Sequence, residues 1–149
     1  MTVVLPDPGT EFGARVARWL HEDAIAWLTL TDQAGTPQPA PVWFLWDDDS
    51  SCVVLYSQPT ARRLARMKAN SRCSLHLNDD GTGHNLVVLT GRIAEAADLA
   101  SAHQNPACAE KYRDWMMAVF GSNSPGCQAC GRSLRTRAVY ARALQAYPR

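Results

Sequence analysis

Short apolar runs joined by tight polar turns, with only brief helical stretches between them, constrain this chain more than any other feature. "AIAWLTLT" (24–31), "TPQPAPVWFLW" (36–46) and "CVVLYS" (52–57) are separated by "DQAG" and "DDDSS". "RCSLHLN" (72–78) and "HNLVVLTGRIAEA" (84–96) are separated by "DDGTG". Strand-like runs linked by Asp- and Gly-rich turns predict antiparallel hairpins, because those residues favour turn geometry. "RSLRTRAVYARAL" (132–144) has period-two character, with Leu134, Thr136, Ala138 and Tyr140 on one side, and predicts a last strand. Antiparallel hairpins with few helices favour a small barrel over a doubly wound sheet. The acidic runs Asp47–Asp49 and Asp79–Asp80 lack the spacing of a calcium loop and read as turns.

Three helical stretches complete the order. "TEFGARVARWLHED" places Phe12, Val16, Trp19 and Leu20 at helical spacing behind Thr10 as N-cap. "ARRLARMKAN" (61–70) predicts a short helix with Thr60 as N-cap, Leu64 and Met67 turned inward, and Arg66 and Lys68 facing water. The stretch 98–121 reads as helical, with Asn105-Pro106 as a break or fresh start. Its stripe of Tyr112, Trp115, Met116, Val119 and Phe120 reads as core or subunit interface.

At 149 residues the chain predicts a single domain spanning 1–149, large enough to bury a real core. Fifteen Lys plus Arg against fourteen Asp plus Glu leave a formal net charge of +1, so no global basic field exists for nucleic acid, and no nucleic-acid partner is expected. No apolar run approaches the roughly 20 residues that span a bilayer. The expectation is a soluble, cytoplasmic protein without a membrane partner. Five cysteines, at 52, 73, 108, 127 and 130, argue against an extracellular disulfide framework. Cys52 and Cys73 read as small buried hydrophobes, and Cys127 with Cys130 form a lone C-x-x-C, which is a weak zinc signal, so no metal is expected.

Two local features point towards a ligand. Pro37, Pro39 and Pro41 alternate with Gln38, Ala40 and Val42, which removes backbone donors from one edge of the second strand. That edge is either protected against aggregation or covered by a ligand or subunit. The other feature is "SQPTARR", where Arg62 and Arg63 fall in the first turn of a helix. Two cations at the positive end of the macrodipole are unfavourable unless an anion is shared. A phosphate there would gain backbone N–H groups, the hydroxyls of Ser57 or Thr60 and both guanidinium charges. The alternative is a solvated amphipathic helix with a basic face. His76 and His84 are candidate proton donors that read more simply as structural or surface histidines. There is no G-x-G-x-x-G loop, Walker lysine, paired carboxylate or Ser/His/Asp set.

Taken together, "AWLTLTDQAGTPQPAPVWFLWDD", "LYSQPTARRLARMKANSRCSLHLNDDGTG" and "NLVVLTGRIA" resemble the pyridoxamine 5'-phosphate oxidase-like split-barrel superfamily. The resemblance is strongest to its actinobacterial branch that uses the deazaflavin coenzyme F420. It implies a mainly β protein with helices, a six-stranded antiparallel split β-barrel, forming a homodimer with the cofactor at the interface. It further implies that Arg62 and Arg63 hold the cofactor phosphate, helped by Ser57, Gln58 and Thr60. The ring system would lie against Gln38 and the backbone of Pro41, Val42 and Trp43. Many relatives carry a lysine where Arg63 stands, Ser71 replaces a usual proline, and an Arg-Pro pair near the end is missing. The implied activity is an F420-dependent reductase passing hydride to an electrophilic, conjugated small molecule. The alternatives are an FMN-binding oxidoreductase of the same fold and a non-catalytic carrier of flavin, deazaflavin or haem.

Overall fold

The computed structural model describes residues 5–78, 81–83, 86–97, 99–115 and 132–142, the last segment as backbone only. Helix α1 (Glu11–Glu22) precedes strands β1 (Ile25–Thr31), β2 (Pro37–Asp47) and β3 (Cys52–Ser57). Helix α2 (Arg62–Ala69) follows, then β4 (Arg72–Leu77), β5 (Val87–Glu95), a 3₁₀ turn (Ala102–Gln104), α3 (Pro106–Lys111) and β6 (Arg132–Arg142). The strands close a barrel in the order β1-β2-β3-β6-β5-β4, with every neighbouring pair antiparallel. The six-stranded barrel expected from the sequence is therefore the fold.

The local chemistry behind these elements is the one the residues dictate. Thr10 caps α1, its Oγ1 accepting from the Gly13 N–H at 3.0 Å. In the β1–β2 turn, the Asp32 carboxylate accepts from the N–H groups of Ala34 and Thr36, both at 2.9 Å, and Gly35 takes a positive φ of 82°. Asn105 caps α3, accepting from Ala107 and Cys108, with Pro106 in the first turn where its missing N–H costs nothing. Of the stretch expected to be helical, 98–121, residues 99–101 are not helical. The first regular turn there is Ala102–Gln104, and Asn105-Pro106 then starts a separate helix, the fresh start expected from the sequence.

Inward-facing residues alternate along each strand. Ala26, Leu28 and Leu30 of β1, Val42 and Phe44 of β2, Val53 and Leu55 of β3, and Leu75 and Leu77 of β4 share one core. Val16 and Leu20 of α1 and Leu64 and Met67 of α2 complete it, so each helix buries the face predicted for it. Each such fully buried aliphatic or aromatic side chain is stabilising by roughly 1.5–3 kcal/mol. Every residue of β3 is buried because its outer face is covered too. Val54 and Tyr56, with Leu45 of β2, pack under Ala102, Cys108 and Tyr112. Among the described residues, no helix is long and apolar enough to cross a membrane.

Candidate functional site at the open edge of β2

β2 changes partner along its length. Pro37–Trp43 pairs with β1, and Phe44–Asp47 pairs with β3. The β2–β3 ladder stops at Phe44 opposite Leu55, although β3 continues to Ser57. Among the described residues, the edge of Pro37–Trp43 that faces away from β1 therefore has no strand partner. Since prolines cannot donate, the bonds to β1 run through Gln38, Ala40 and Val42. Alternation then turns Pro37, Pro39 and Pro41 towards the open edge. The donor-poor edge read from the sequence is the edge at which the sheet splits.

The chain leaving β3 borders the same opening. Ser57 shares the inward parity of Val53 and Leu55, and it is only 3% exposed. Its Oγ is buried with no hydrogen-bond partner among the described residues. Such an orphaned hydroxyl costs free energy unless a ligand or water satisfies it. Gln58, Pro59 and Thr60 are exposed and form a turn closed by the Ala61 N–H on the Gln58 carbonyl at 3.0 Å. That turn displaces the expected cap. Thr60 is consumed as a turn residue, Ala61 stands at the N-cap of α2, and no side chain caps the helix. The first turn of α2 also carries no acidic residue to complement the positive end of the macrodipole.

The two arginines face different ways, as residues 100° apart on a helix must. Arg62 lines an open groove of about 460 Å³ with Ala65, Arg66 and Ala69 of α2 and Asp32, Gln33 and Ala34 of the β1–β2 turn. Arg63 is half-buried and outside that lining. Gln38 is tied to the groove, its Nε2 donating to Asp32 Oδ2 at 3.1 Å. Backbone N–H groups, chiefly that of Thr36, hold the Asp32 carboxyl below its ordinary range, with Gln38 and the nearby Arg66 charge adding to the effect. The structure thus brings Arg62 into one groove with Asp32, the partner of Gln38, while Pro41, Val42 and Trp43 lie farther along β2 and Ser57, Gln58 and Thr60 at the end of β3. Sequence reasoning missed Asp32 and Arg66. Lys68 faces water as expected, but Arg66 is half-buried in the groove. The available signal was the four-residue spacing of Arg62 and Arg66, which places them on one helix face.

The rings of "VWFLW" divide their work. Phe44 fills the barrel, Trp43 stacks on Tyr112 with centroids 4.6 Å apart and planes 6° from parallel, and Trp46 donates from Nε1 to Asp48 at 2.8 Å. Tyr112 is wholly buried, and its hydroxyl sits 2.8 Å from the Phe44 N–H, from the Phe44 carbonyl and from the Ala24 carbonyl. Burial raises its phenol pKa far above the ordinary value. His76 is exposed on the outer face of β4, 3.4 Å from the Ser74 hydroxyl and across from the exposed Trp27. Cys52 is buried and Cys73 half-buried against the core, where desolvation pushes the Cys73 thiol up to about 11. Among the described residues no group of three His, Cys, Asp or Glu could hold a metal. His84, Asp79, Asp80, Met116, Val119, Phe120, Cys127 and Cys130 lie outside the described residues, as do the side chains of β6.

An uncapped helix start bearing two arginines, a hydroxyl buried without a partner among the described residues, and an edge with few N–H groups of its own are the chemistry that suits a ligand with a phosphate. The barrel is similar to that of a conserved hypothetical protein, Rv2991, from Mycobacterium tuberculosis, with TM-score 0.63, 16% identity, and 93% and 85% of the two chains covered. It is similar to an FAD-binding protein from Mesorhizobium loti, with TM-score 0.58, 20% identity, and 87% and 89% covered. An F420 reductase also superimposes, with TM-score 0.62, 18% identity, and 85% and 92% covered. At these identities the likeness is one of fold. No curated protein matches the sequence. The profile of the pyridoxamine 5'-phosphate oxidase family matches residues 12–143, and the chain belongs to that family.

Proposed function

We propose that the protein binds a phosphate-bearing flavin or deazaflavin at the open edge of β2 and acts as a coenzyme F420-dependent reductase of an electrophilic, conjugated organic small molecule. One observation carries the reading: the donor-poor strand edge lies where the β2–β3 ladder ends, and α2, which begins with two arginines and no side-chain cap, shares a groove with the β1–β2 turn to which Gln38 of that strand is bonded. The F420 reductase and the FAD-binding protein of the same fold support it by analogy.

In this reading Arg62 and Arg63 neutralise the phosphate from two sides of the helix start, and the N–H groups of its first turn add to them. Ser57, Gln58 and Thr60 supply polar contacts around it. Gln38, steadied by Asp32, and the backbone of Pro41, Val42 and Trp43 border the ring system. When bound, the reduced deazaflavin supplies the hydride, and the protein supplies orientation and exclusion of water. A homodimer with the ligand at the subunit interface completes the proposal. Trp27, 44% exposed between Pro41 and His76, offers apolar outer surface for such pairing.

A side-by-side titration of the purified protein with F420 and with FMN tests the assignment. F420 binding much tighter than FMN, followed by acceptor-dependent oxidation of reduced F420, is the expected result. Preference for FMN would replace the chemistry and keep the site. Tight binding with no acceptor reduced would make the protein a carrier.

A further inference from the structure

Tyr112 belongs to neither the predicted ligand contacts nor the barrel's inner layer, yet its hydroxyl and its ring both engage β2. Its hydroxyl lies where β2 passes from β1 to β3, between the Ala24 carbonyl, which precedes β1, and the backbone of Phe44. There it takes the place of the next pair in the β1–β2 ladder. Its ring stacks in parallel on Trp43, the last β2 residue of the unpaired edge. The neighbouring Lys111 places its Nζ 4.0 Å from the Phe44 ring centroid. Lys111 at the end of α3 and its C-cap Tyr112 therefore grip two successive residues of β2 by backbone and by ring, at the point where the sheet opens.

We infer that Tyr112 is a positioning residue for the ligand site, fixing the backbone of Trp43 and Phe44 so that the open edge keeps the shape its ligand meets. This rests on the functional reading above. A strand held along one edge only can twist or slide at its free end. A residue 68 positions away that bonds both its N–H and its carbonyl removes that freedom. The stack adds a second restraint on the same peptide.

The test pairs a conformational readout with a binding one. Trp43 is labelled as 5-fluorotryptophan, its fluorine resonance is assigned by Trp43→Phe, and affinity is measured for whichever of F420 or FMN the wild type binds. Tyr112→Leu removes ring and hydroxyl, and Tyr112→Phe keeps the ring. Val16→Ala, in the α1 face of the core, serves as a control for destabilisation alone. The expected result is a shifted or broadened Trp43 signal and roughly tenfold weaker binding in Tyr112→Leu. Tyr112→Phe should keep the stacked signal, lose protection of the Phe44 amide from exchange, and bind less weakly than Tyr112→Leu. Val16→Ala should lower Tm without moving either readout. An unchanged Trp43 signal with unchanged affinity in Tyr112→Leu would overturn the inference, as would equal weakening in Val16→Ala. Should Tyr112→Leu not fold, Tyr112→Phe decides by itself: unprotected Phe44 with weaker binding supports the inference, and a protected Phe44 amide overturns it. If the wild type binds neither ligand, the functional reading falls, and the Trp43 signal alone decides whether Tyr112 fixes this strand.

Discussion

The two halves of β2 meet the rest of the molecule differently. Phe44–Asp47 pairs with β3 and contributes Phe44, wholly buried, and Leu45, 8% exposed, to the two packed layers on either side of the sheet. Pro37–Trp43 pairs with β1, exposes its three prolines and turns a donor-poor edge outward. One half is built into the core, whereas the other is anchored on one side and left available on the other. An edge without a strand partner among the described residues needs restraint from elsewhere, and here it comes from the second half of the same strand and from Lys111 and Tyr112, which clasp it.

The sharpest way to break this contrast is Phe44→Ala. Removing a fully buried ring should cost about 3–5 kcal/mol, read as a lower denaturant midpoint, because the cavity adds to the lost transfer energy. A loss below about 1 kcal/mol, the scale of a surface substitution, would deny the second half its structural role.

Lys111→Met probes the clasp. The Lys111 Nζ is buried without a hydrogen-bond partner among the described residues, and desolvation lowers its pKa to about 8, with Asp23 and Cys108 opposing the shift. Between that value and 10.5 the folded lysine has released its proton while the unfolded one still holds it. The unfolded state then binds more protons, so wild-type stability gains from this group as pH rises through the window. The methionine variant should therefore have the higher Tm at pH 7, and its advantage should shrink from about pH 8 upward. Titrations of Cys73 and Tyr112 occur in both proteins and cancel in the difference between their profiles. An advantage that is independent of pH would show that the amine is solvated.

Pro39→Ala should have the smallest effect on stability. It restores an N–H that faces the unpaired edge, so denaturation should move by no more than about 0.5 kcal/mol. Self-association of the ligand-free protein should rise, since an edge with donors templates pairing. A large loss of stability would mean that this edge is already engaged within the barrel.

Much of this layout was readable beforehand because it depends on local chemistry. Proline lacks a donor in any context, so the alternating prolines located an unpaired edge before any partner was known. Thr10, Gly35 and Asn105-Pro106 marked a cap, a turn and a helix start through side-chain and φ preferences that need no tertiary information. The misreadings came from competition and distance. Thr60 is a good capping residue, but Pro59 set a turn whose closing bond, Ala61 to Gln58, moved the helix start by one position. Arg66 faced a groove rather than water because the β1–β2 turn folds against α2. Tyr112 belonged to a stripe read as core or interface. Its clasp on Phe44 pairs residues 68 apart, a relation no periodicity reveals.

The proposed function has the open edge and the start of α2 hold a phosphate-bearing cofactor. Its most direct test is an equilibrium titration of wild type and of Arg62→Ala combined with Arg63→Ala, using F420 and FMN at low and high salt. The expected result is affinity at least roughly tenfold weaker in the double variant, a smaller salt dependence, and a Tm close to that of the wild type. Equal affinity of the two proteins for the ligand would contradict it.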